Sequence, residues 1–216
     1  MDAKLNACRG AMEHVGDGMV LGLGTGTTVA HFIDLIGEEA RNGKKFVCVA
    51  TSFDTEMMAK RNGIPIVSLD QVQQIDLAVD GADIVAKDHV LKGGGGALAR
   101  EKVVAYFAKK FLVVIDEGKL KLKEYPVVVE CLPFAYSTVM KAMEGMGARP
   151  VLRKGGGKIG PVVSDNGNFL LDCSVAVKDA KRMEQEINSI PGVVENGIFT
   201  KFSKIIAGNG KGWREL

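Results

Sequence analysis

The sequence predicts an α/β protein in which a mostly parallel sheet is flanked by helices and is followed by a smaller α+β domain. Short apolar runs alternate with helix-spaced apolar patterns up to about residue 128, which is the pattern of a parallel sheet. Three segments rich in glycine or aspartate, 22–28, 80–83 and 92–101, directly follow such runs, so in a parallel sheet they can meet at one edge. Beyond residue 128 the order changes to strand, helix, hairpin, helix and strand.

Composition limits the classes of function. The 216 residues suit one domain, or one large and one small domain. A formal net charge of +2, with both signs interspersed, argues against nucleic-acid binding, which needs a clustered basic face. The sequence contains no run of about 18 apolar residues, so we expect no membrane span. We also expect no signal peptide. Scattered cysteines without CxxC spacing indicate reduced thiols in a cytoplasmic protein: Cys8, Cys48, Cys131 and Cys173.

The first strand leads into a glycine- and threonine-rich loop. A helix is predicted over residues 4–16 and a buried strand over 19–21. Apolar residues then recur at helical spacing from Val29 to Ile36. The loop between strand and helix therefore predicts a phosphate site at a helix N-terminus. Its sequence is Gly22-Leu23-Gly24-Thr25-Gly26-Thr27-Thr28.

The spacing of this loop does not fit a dinucleotide site. The third glycine, Gly26, comes one place too early for GxGxxG, and the second strand, 46–50, ends without an acidic residue. No GK[ST] follows, so a P-loop is excluded as well. A small phosphorylated metabolite fits better. The alternative is a glycine-rich turn that only allows close packing of strand and helix.

Two aspartates follow a later strand. A helix is predicted over 53–62, and Pro65 makes the next strand, 64–67, an edge strand. The strand 76–79 then runs into Asp80-Gly81-Ala82-Asp83, and open α/β sheets bind ligands at such strand ends. The alternative is a turn, which Asp-Gly favours.

Four consecutive glycines lie between a lysine and a predicted helix. Lys92 precedes Gly93-Gly94-Gly95-Gly96, and a helix-favouring run over 97–108 carries Glu101 in its first turn or so. Glycine amides, a cation and a carboxylate in one small volume could hold an oxyanion and move a proton. The alternative is a flexible surface loop before an ordinary amphipathic helix.

The second half of the chain predicts a separate fold. The pattern predicts a strand over 127–131, a helix over 136–146 and a second helix over 179–189. Between the two helices lies Asp165-Asn166-Gly167-Asn168, a strong hairpin signal. The segment 153–158 is basic and glycine-rich, and is either an exposed connection or a second phosphate site.

Taken in this order, the motifs closely resemble those of the ribose-5-phosphate isomerase type A family, over nearly the whole chain. The resemblance rests on the threonine loop, the Asp80–Asp83 turn, the run from Lys92 to Lys102, the 165–168 hairpin and Ile190-Pro191-Gly192-Val193-Val194. It implies interconversion of ribose 5-phosphate and ribulose 5-phosphate without a metal or other cofactor. In agreement with a reaction that needs no metal, the three histidines are dispersed along the sequence, at His14, His31 and His89.

The resemblance also implies roles for individual residues. Glu101 would be the base, and Asp80, Asp83 and Lys92 would line the reacting end of the sugar. The family often has an acidic residue where this chain has Ile84, which leaves that position without a role. The implied substrate-binding residues are Lys4, Thr25, Gly26, Thr27, Thr28, Asp80, Gly81, Ala82, Asp83, Lys92, Gly93, Gly94, Gly95 and Lys119.

We therefore expect a Rossmann-like catalytic domain over 1–128 plus 205–216, and a small split-βαβ, ferredoxin-like domain over 129–204. The chain is expected to act as a cytoplasmic homodimer on a pentose 5-phosphate, with no nucleic-acid or membrane partner. The competing hypotheses are a sugar-phosphate sensor that binds without chemistry and a CoA transferase with a glutamate nucleophile.

Overall fold

A computed structural model of the chain describes residues 2–122, 124–157 and 159–216. Its helices are α1 (Ala3–Met12), α2 (Thr27–Arg41), α3 (Phe53–Arg61), α4 (Leu98–Phe107), α5 (Tyr136–Gly145) and α6 (Ala180–Asn188). Its strands are β1 (Val20–Leu23), β2 (Val47–Ala50), β3 (Ile75–Asp80), β4 (Ile84–Val85), β5 (Val90–Leu91), β6 (Ala108–Asp116), β7 (Val127–Cys131), β8 (Arg149–Leu152), β9 (Phe169–Ser174), β10 (Val193–Asn196), β11 (Ile198–Phe199), β12 (Lys204–Gly208) and β13 (Trp213–Glu215).

The chain divides into two compact units. Unit 1 contains residues 1–82, 100–121 and 201–216, and unit 2 contains residues 83–99 and 122–200. This division differs from the predicted one, which ended the first domain at residue 128 and left 83–99 inside it. The physical reason is strand pairing, because β4, β5 and β7 all pair with strands of unit 2.

Unit 1 is built on a six-stranded sheet in the order β13-β12-β6-β3-β1-β2. All neighbours in it are parallel except β12 and β13, so the predicted mostly parallel sheet is confirmed. The return of the chain near residue 204 is also as predicted, since β12 pairs with β6. Helix α2 buries its predicted apolar stripe completely in the core of this unit: Val29, Phe32, Ile33 and Ile36.

Two predicted elements of unit 1 are shorter than expected. The first helix ends at Met12 rather than near residue 16. The predicted edge strand 64–67 is reduced to a single parallel bridge between Ile66 and Cys48, beside the edge strand β2. Pro65 accounts for this, because it lacks an N–H and contributes to the pairing only through its carbonyl oxygen, which accepts from Cys48 at 2.9 Å.

Unit 2 has the predicted βαββαβ order. Its four-stranded sheet runs β10-β7-β9-β8 with every pair antiparallel, and α5 and α6 make the two crossovers. The Asn-Gly hairpin before β9 is present, with Gly167 at φ 80° in its turn and Ser164 paired to Asn168. A ferredoxin-like arrangement is therefore confirmed for this unit.

One strand assignment was wrong in its placement. The run before the four glycines, β5, was expected to end in the parallel sheet beside the other two ligand segments. It belongs instead to a three-stranded antiparallel sheet of unit 2, in the order β11-β5-β4. The segment from Asp83 to Val90 is too short for a crossover helix, so its strands form a tight antiparallel pair.

Within the described ranges, no helix has the length and apolar content needed to cross a membrane.

Candidate active site

The threonine loop of unit 1 joins β1 to α2 in the way that the sequence predicted. Gly26 caps the helix with φ 111°, a conformation that favours glycine, and Thr27 is the first helical residue. Thr27 is exposed and Thr28 is half-buried. The first N–H groups of a helix lack helical partners and carry partial positive charge, so this end of α2 is suited to bind an anion.

Thr25 has a different role from its two neighbours. Its hydroxyl lies 2.9 Å from the hydroxyls of Thr51 and Ser52 and 3.2 Å from that of Thr55. Thr55 in turn donates to the carbonyl oxygen of Gly24 at 2.7 Å. This cluster of hydroxyls fixes the loop to the end of β2 and the start of α3. The hydroxyl of Thr25 therefore orders the loop, and Thr27 and Thr28 are better placed to contact a ligand.

Lys4 extends this anion site. Its Nζ donates to the hydroxyl of Thr27 at 2.9 Å, although the two residues are 23 positions apart in sequence. The fold thus brings the predicted lysine to the N-terminus of α2, where its charge adds to that of the helix end.

Asp80 ends β3 in a buried position, with only 3% of its surface exposed. Its Oδ1 accepts the backbone N–H of Gly81 at 2.7 Å and that of Thr25 at 3.2 Å. A Cβ on Gly24 would lie 2.0 Å from the Asp80 Cγ, so a glycine is needed there. The second glycine of the threonine loop is therefore explained by this carboxylate and not by a dinucleotide.

Glu101 lies in the first turn of α4 and is 4% exposed. One turn further along the same helix face, Val104 packs on β1 at Gly22, where a Cβ would lie 2.4 Å from the valine Cγ1. The first glycine of the threonine loop thus allows α4 to lie close against the sheet. This packing holds the Glu101 end of the helix against β1.

Lys119 belongs to a short 3-10 helix, Glu117–Lys121, which directly follows β6. The threonine loop continues from β1, and Asp80 is the last residue of β3. Strands β6, β3 and β1 are parallel and lie next to one another in that order in one sheet. The carboxyl ends of parallel strands lie at one edge, which is where such sheets bind ligands. Three predicted site segments of unit 1 therefore share that edge.

Unit 2 carries the predicted residues Asp83, Lys92 and Gly93 to Gly95. Asp83 Oδ2 accepts the backbone N–H of Gly94 at 2.9 Å. Within the glycine run, Gly93 and Gly96 have φ of 115° and 79°, and the N–H of Gly96 donates to the carbonyl of Gly93 at 3.0 Å. The N–H groups of Gly94 and Gly96 therefore already donate hydrogen bonds within unit 2. The N–H groups of Gly93 and Gly95 are the candidates for binding an oxyanion.

Lys92 is held just before this run. It is 4% exposed, and its backbone N–H donates to the carbonyl of Gly197 at 2.9 Å. Its Nζ lies 5.5 Å from the centre of the Phe199 ring, within the range of a cation–π interaction. A buried cation beside a glycine loop is suited to stabilise negative charge that develops on a substrate.

A family comparison identifies the protein class. The sequence model of the family Ribose 5-phosphate isomerase A (phosphoriboisomerase A) matches residues 47–212. This range contains Asp80, Asp83, Lys92 and Glu101. The chain belongs to this family. It is accordingly an isomerase of the ribose 5-phosphate isomerase A type, as the sequence motifs predicted.

Relatives extend the match to the segment before residue 47, where the threonine loop lies. A ribose-5-phosphate isomerase A of Archaeoglobus fulgidus is 47% identical, over 99% of this chain and 98% of that protein. One from Methanococcus aeolicus is 46% identical, over 96% and 91%. The structure of ribose 5-phosphate isomerase A from Methanocaldococcus jannaschii superposes with a TM-score of 0.96 at 44% identity, covering 100% of this chain and 98% of that one.

Sequence reasoning missed two residues of this isomerase. Arg153 was placed in an exposed connection, but its guanidinium is largely buried and donates to carbonyl oxygens of the glycine run. Tyr125 was not singled out, yet its hydroxyl oxygen lies beside Gly94 and Asp83. No spacing rule in the sequence links either residue to position 94, so only the tertiary structure shows that they lie beside it. Lys158, in the same basic segment, lies outside the described residues.

The cysteines of this isomerase play no visible part in the site. All four are buried and none forms a disulfide. Burial raises the pKa of Cys8, Cys48 and Cys173 to about 12 and that of Cys131 to about 11. Their thiols are therefore protonated and poor nucleophiles at neutral pH. Among the residues that the structure describes, no cluster of three or more His, Cys, Asp or Glu side chains could hold a metal ion.

Proposed function

We propose that the protein interconverts D-ribose 5-phosphate and D-ribulose 5-phosphate through an enediolate, a step of the non-oxidative pentose phosphate pathway. The observation that carries this proposal is Glu101, a carboxylate buried in the first turn of α4 immediately after a glycine run. Related enzymes of the family carry the same activity in their names. A related D-ribose-5-phosphate isomerase, 41% identical with a TM-score of 0.95, is in complex with phospho-erythronic acid.

In the proposed reaction, Glu101 removes the proton from C2 of the open-chain aldose. The C2–H electron pair forms the C1–C2 double bond, and negative charge develops on the carbonyl oxygen. Glu101 returns the proton to C1, while the hydroxyl proton passes from O2 to O1. One carboxylate can serve both transfers because both carbons present the same face of a planar intermediate.

We propose that Lys92 and the amides of Gly93 and Gly95 stabilise the negative charge that develops on the substrate oxygen. A lysine that is already buried needs little solvent reorganisation when that charge forms. Asp80 and Asp83 are the candidates for the proton relay that opens the furanose ring. Asp80 is held by two backbone N–H groups, and Asp83 is held by Gly94.

The phosphate is assigned to the threonine loop. Thr27, Thr28 and Lys4 lie together at the N-terminus of α2, where N–H groups, hydroxyls and a cation combine. Gly26 allows the backbone to approach the ligand, and Lys119 is proposed as a further contact. Gly81, Ala82, Gly93, Gly94 and Gly95 complete the proposed substrate-binding set.

We also propose a cytoplasmic homodimer. The buried, protonated thiols suit a reducing compartment. Exposed apolar side chains on α3 and α4 provide a surface for a second copy of the chain: Phe53, Met57, Val103 and Phe107.

The test is conversion of ribose 5-phosphate by the purified protein in the presence of EDTA. We expect full activity, and loss of it in Glu101→Gln. A non-catalytic sugar-phosphate sensor predicts binding of ribose 5-phosphate without conversion, so isothermal titration on the same sample separates the two functions. Activity that disappears in EDTA and returns with a divalent ion would contradict the metal-free proton transfer.

A further inference from the structure

Arg153 divides its guanidinium between a carboxylate and the glycine run. Its Nε donates to both oxygens of Asp172, at 3.2 and 3.0 Å, and its Nη2 also donates to Asp172. Its Nη1 donates to the carbonyl of Gly93 at 2.8 Å and to that of Gly94 at 3.3 Å. Asp172 lies on β9, so the arginine is anchored to the four-stranded sheet of unit 2.

The Gly93–Gly94 peptide connects Arg153 to Asp83. Its carbonyl accepts from Arg153, and its N–H donates to Asp83 Oδ2 at 2.9 Å. The carbonyl and the N–H of one peptide are fixed in a common plane and point in opposite directions. Holding the carbonyl therefore also aims the N–H, and each hydrogen bond polarises the other.

Tyr125 closes the other side of Asp83. A Cβ on Gly94 would lie 2.4 Å from the tyrosine hydroxyl oxygen and 2.9 Å from Asp83 Oδ1, so both side chains press on this glycine. Burial raises the pKa of Tyr125, and the charge of Asp83 raises it further. The phenol therefore keeps its proton, and its O–H can donate a hydrogen bond to the carboxylate of Asp83.

We propose that Arg153, anchored by Asp172, is a positioning residue that holds Asp83 through the Gly93–Gly94 peptide. A peptide between two glycines rotates easily because neither residue has a Cβ. Without the arginine, the N–H of Gly94 loses the constraint that aims it at Asp83. The inference rests on the proposed function, in which Asp83 serves the reacting end of the sugar.

A lysine cannot replace this arginine. Holding Asp172 with two nitrogens and the Gly93 carbonyl with a third requires the planar fork of a guanidinium, whereas lysine has a single nitrogen. Arg153→Lys keeps the charge and much of the bulk, so it separates positioning from charge and from packing.

The experiment is a double-mutant cycle on kcat and KM for ribose 5-phosphate, with Arg153→Met, Asp83→Asn and the double variant. We expect Arg153→Met to lower kcat on the order of 10- to 100-fold, as for coupled residues of one hydrogen-bond network. KM should change less than about threefold. In the Asp83→Asn background, Arg153→Met should lower kcat by a further factor of less than about three. Arg182→Met is the matched control, because Arg182 is exposed on α6 of the same unit and pairs with Glu186. It should retain parental kinetics.

Two further measurements keep the inference falsifiable if Arg153→Met is unstable. Arg153→Lys should lose kcat nearly as much while melting close to the parent. Millimolar guanidinium should raise kcat of Arg153→Met but not of the parent. Parental kcat in Arg153→Lys, or an equal loss from Arg153→Met with and without Asp83, would overturn the inference. Parental kcat in Asp83→Asn alone would overturn the role of Asp83 and the inference with it, whereas a parent enzyme that does not convert ribose 5-phosphate would overturn the proposed function itself.

Discussion

The carboxylate of Asp80 lies directly against the Cα of Gly24, so closely that a Cβ there would be 2.0 Å from the Asp80 Cγ. Asp80 ends β3 and Gly24 directly follows the neighbouring strand β1, 56 positions away in sequence. Their contact connects the threonine loop to the first proposed catalytic aspartate. A substitution in the loop is therefore expected to displace that carboxylate.

Gly24→Ala tests this contact. The added methyl overlaps Asp80, so the loop or the carboxylate must move. We expect a loss of about 1–3 kcal/mol in the free energy of unfolding, as for overpacked cores, together with a lower kcat. Urea unfolding and steady-state kinetics measure the two effects. Gly145→Ala is the control, because nothing lies within 4 Å of its added Cβ at the end of α5. A Gly24→Ala variant that keeps the parental free energy of unfolding and kcat, as the control does, would contradict the prediction.

Glu101→Gln tests the proposed base. The substitution keeps the size of a buried side chain and removes its ability to accept a proton, so kcat should fall by roughly 10²–10⁴-fold while substrate binding is retained. Single-turnover kinetics and titration calorimetry provide the two readouts. Glu56→Gln, which removes a half-buried carboxylate paired with Lys60 on α3, should behave as the parent. A Glu101→Gln variant with more than about a tenth of parental kcat would exclude Glu101 as the base.

Lys92→Met tests whether the buried cation stabilises the enediolate. Its interaction strengthens as charge develops, so the loss should lie in kcat rather than KM, on the order of 10²–10³-fold, as for one oxyanion donor. Lys201→Met, which removes a lysine 4.8 Å from the Tyr106 ring, controls for loss of a cation beside an aromatic ring. Raised KM with unchanged kcat would indicate uniform binding, and a collapsed thermal melt would indicate a structural role.

Alanine substitutions at two threonines of the same loop should have different effects. Thr28→Ala should raise KM for ribose 5-phosphate about tenfold or more, because a hydrogen bond to a charged group is worth about 1.5–3 kcal/mol. Thr25→Ala should instead lower the melting temperature, because it leaves the hydroxyl cluster around Thr55 incomplete. Equal kcat/KM of the parent on ribose and ribose 5-phosphate would refute the phosphate assignment of this loop.

The buried thiols predict a pH dependence of stability. Burial raises the pKa of Cys8 and Cys48 from 9.0 to about 12, so the folded protein holds protons that the unfolded chain releases as the pH rises above 9. The free energy of unfolding should therefore fall as the pH rises from 9 towards about 12. Native protein at pH 8 should also resist iodoacetamide until denaturant is added. Rapid alkylation of either thiol in the native state would contradict this burial.

Local chemistry determined much of this protein. The apolar spacing of α2 specified both the helix and its buried face, and Asn166-Gly167 specified the hairpin before β9. Glu101 could be placed in the first turn of its helix because a helix-favouring run directly follows the glycines. These features depend on neighbours within a few residues, so the sequence shows them directly. The motifs in their order also sufficed to indicate the family.

Contacts between distant segments were decided only by the tertiary structure. The three-stranded sheet moved residues 83–99 into the second unit, because two-residue strands carry no pattern that names their partners. The need for glycine at position 24 depends on Asp80, and the burial of Arg153 depends on Asp172 and the carbonyl of Gly93. The contacts of Gly24 and Arg153 join residues at least 19 positions apart. Nothing in the local sequence encodes such a separation, because packing and hydrogen bonding set it only once the chain has folded.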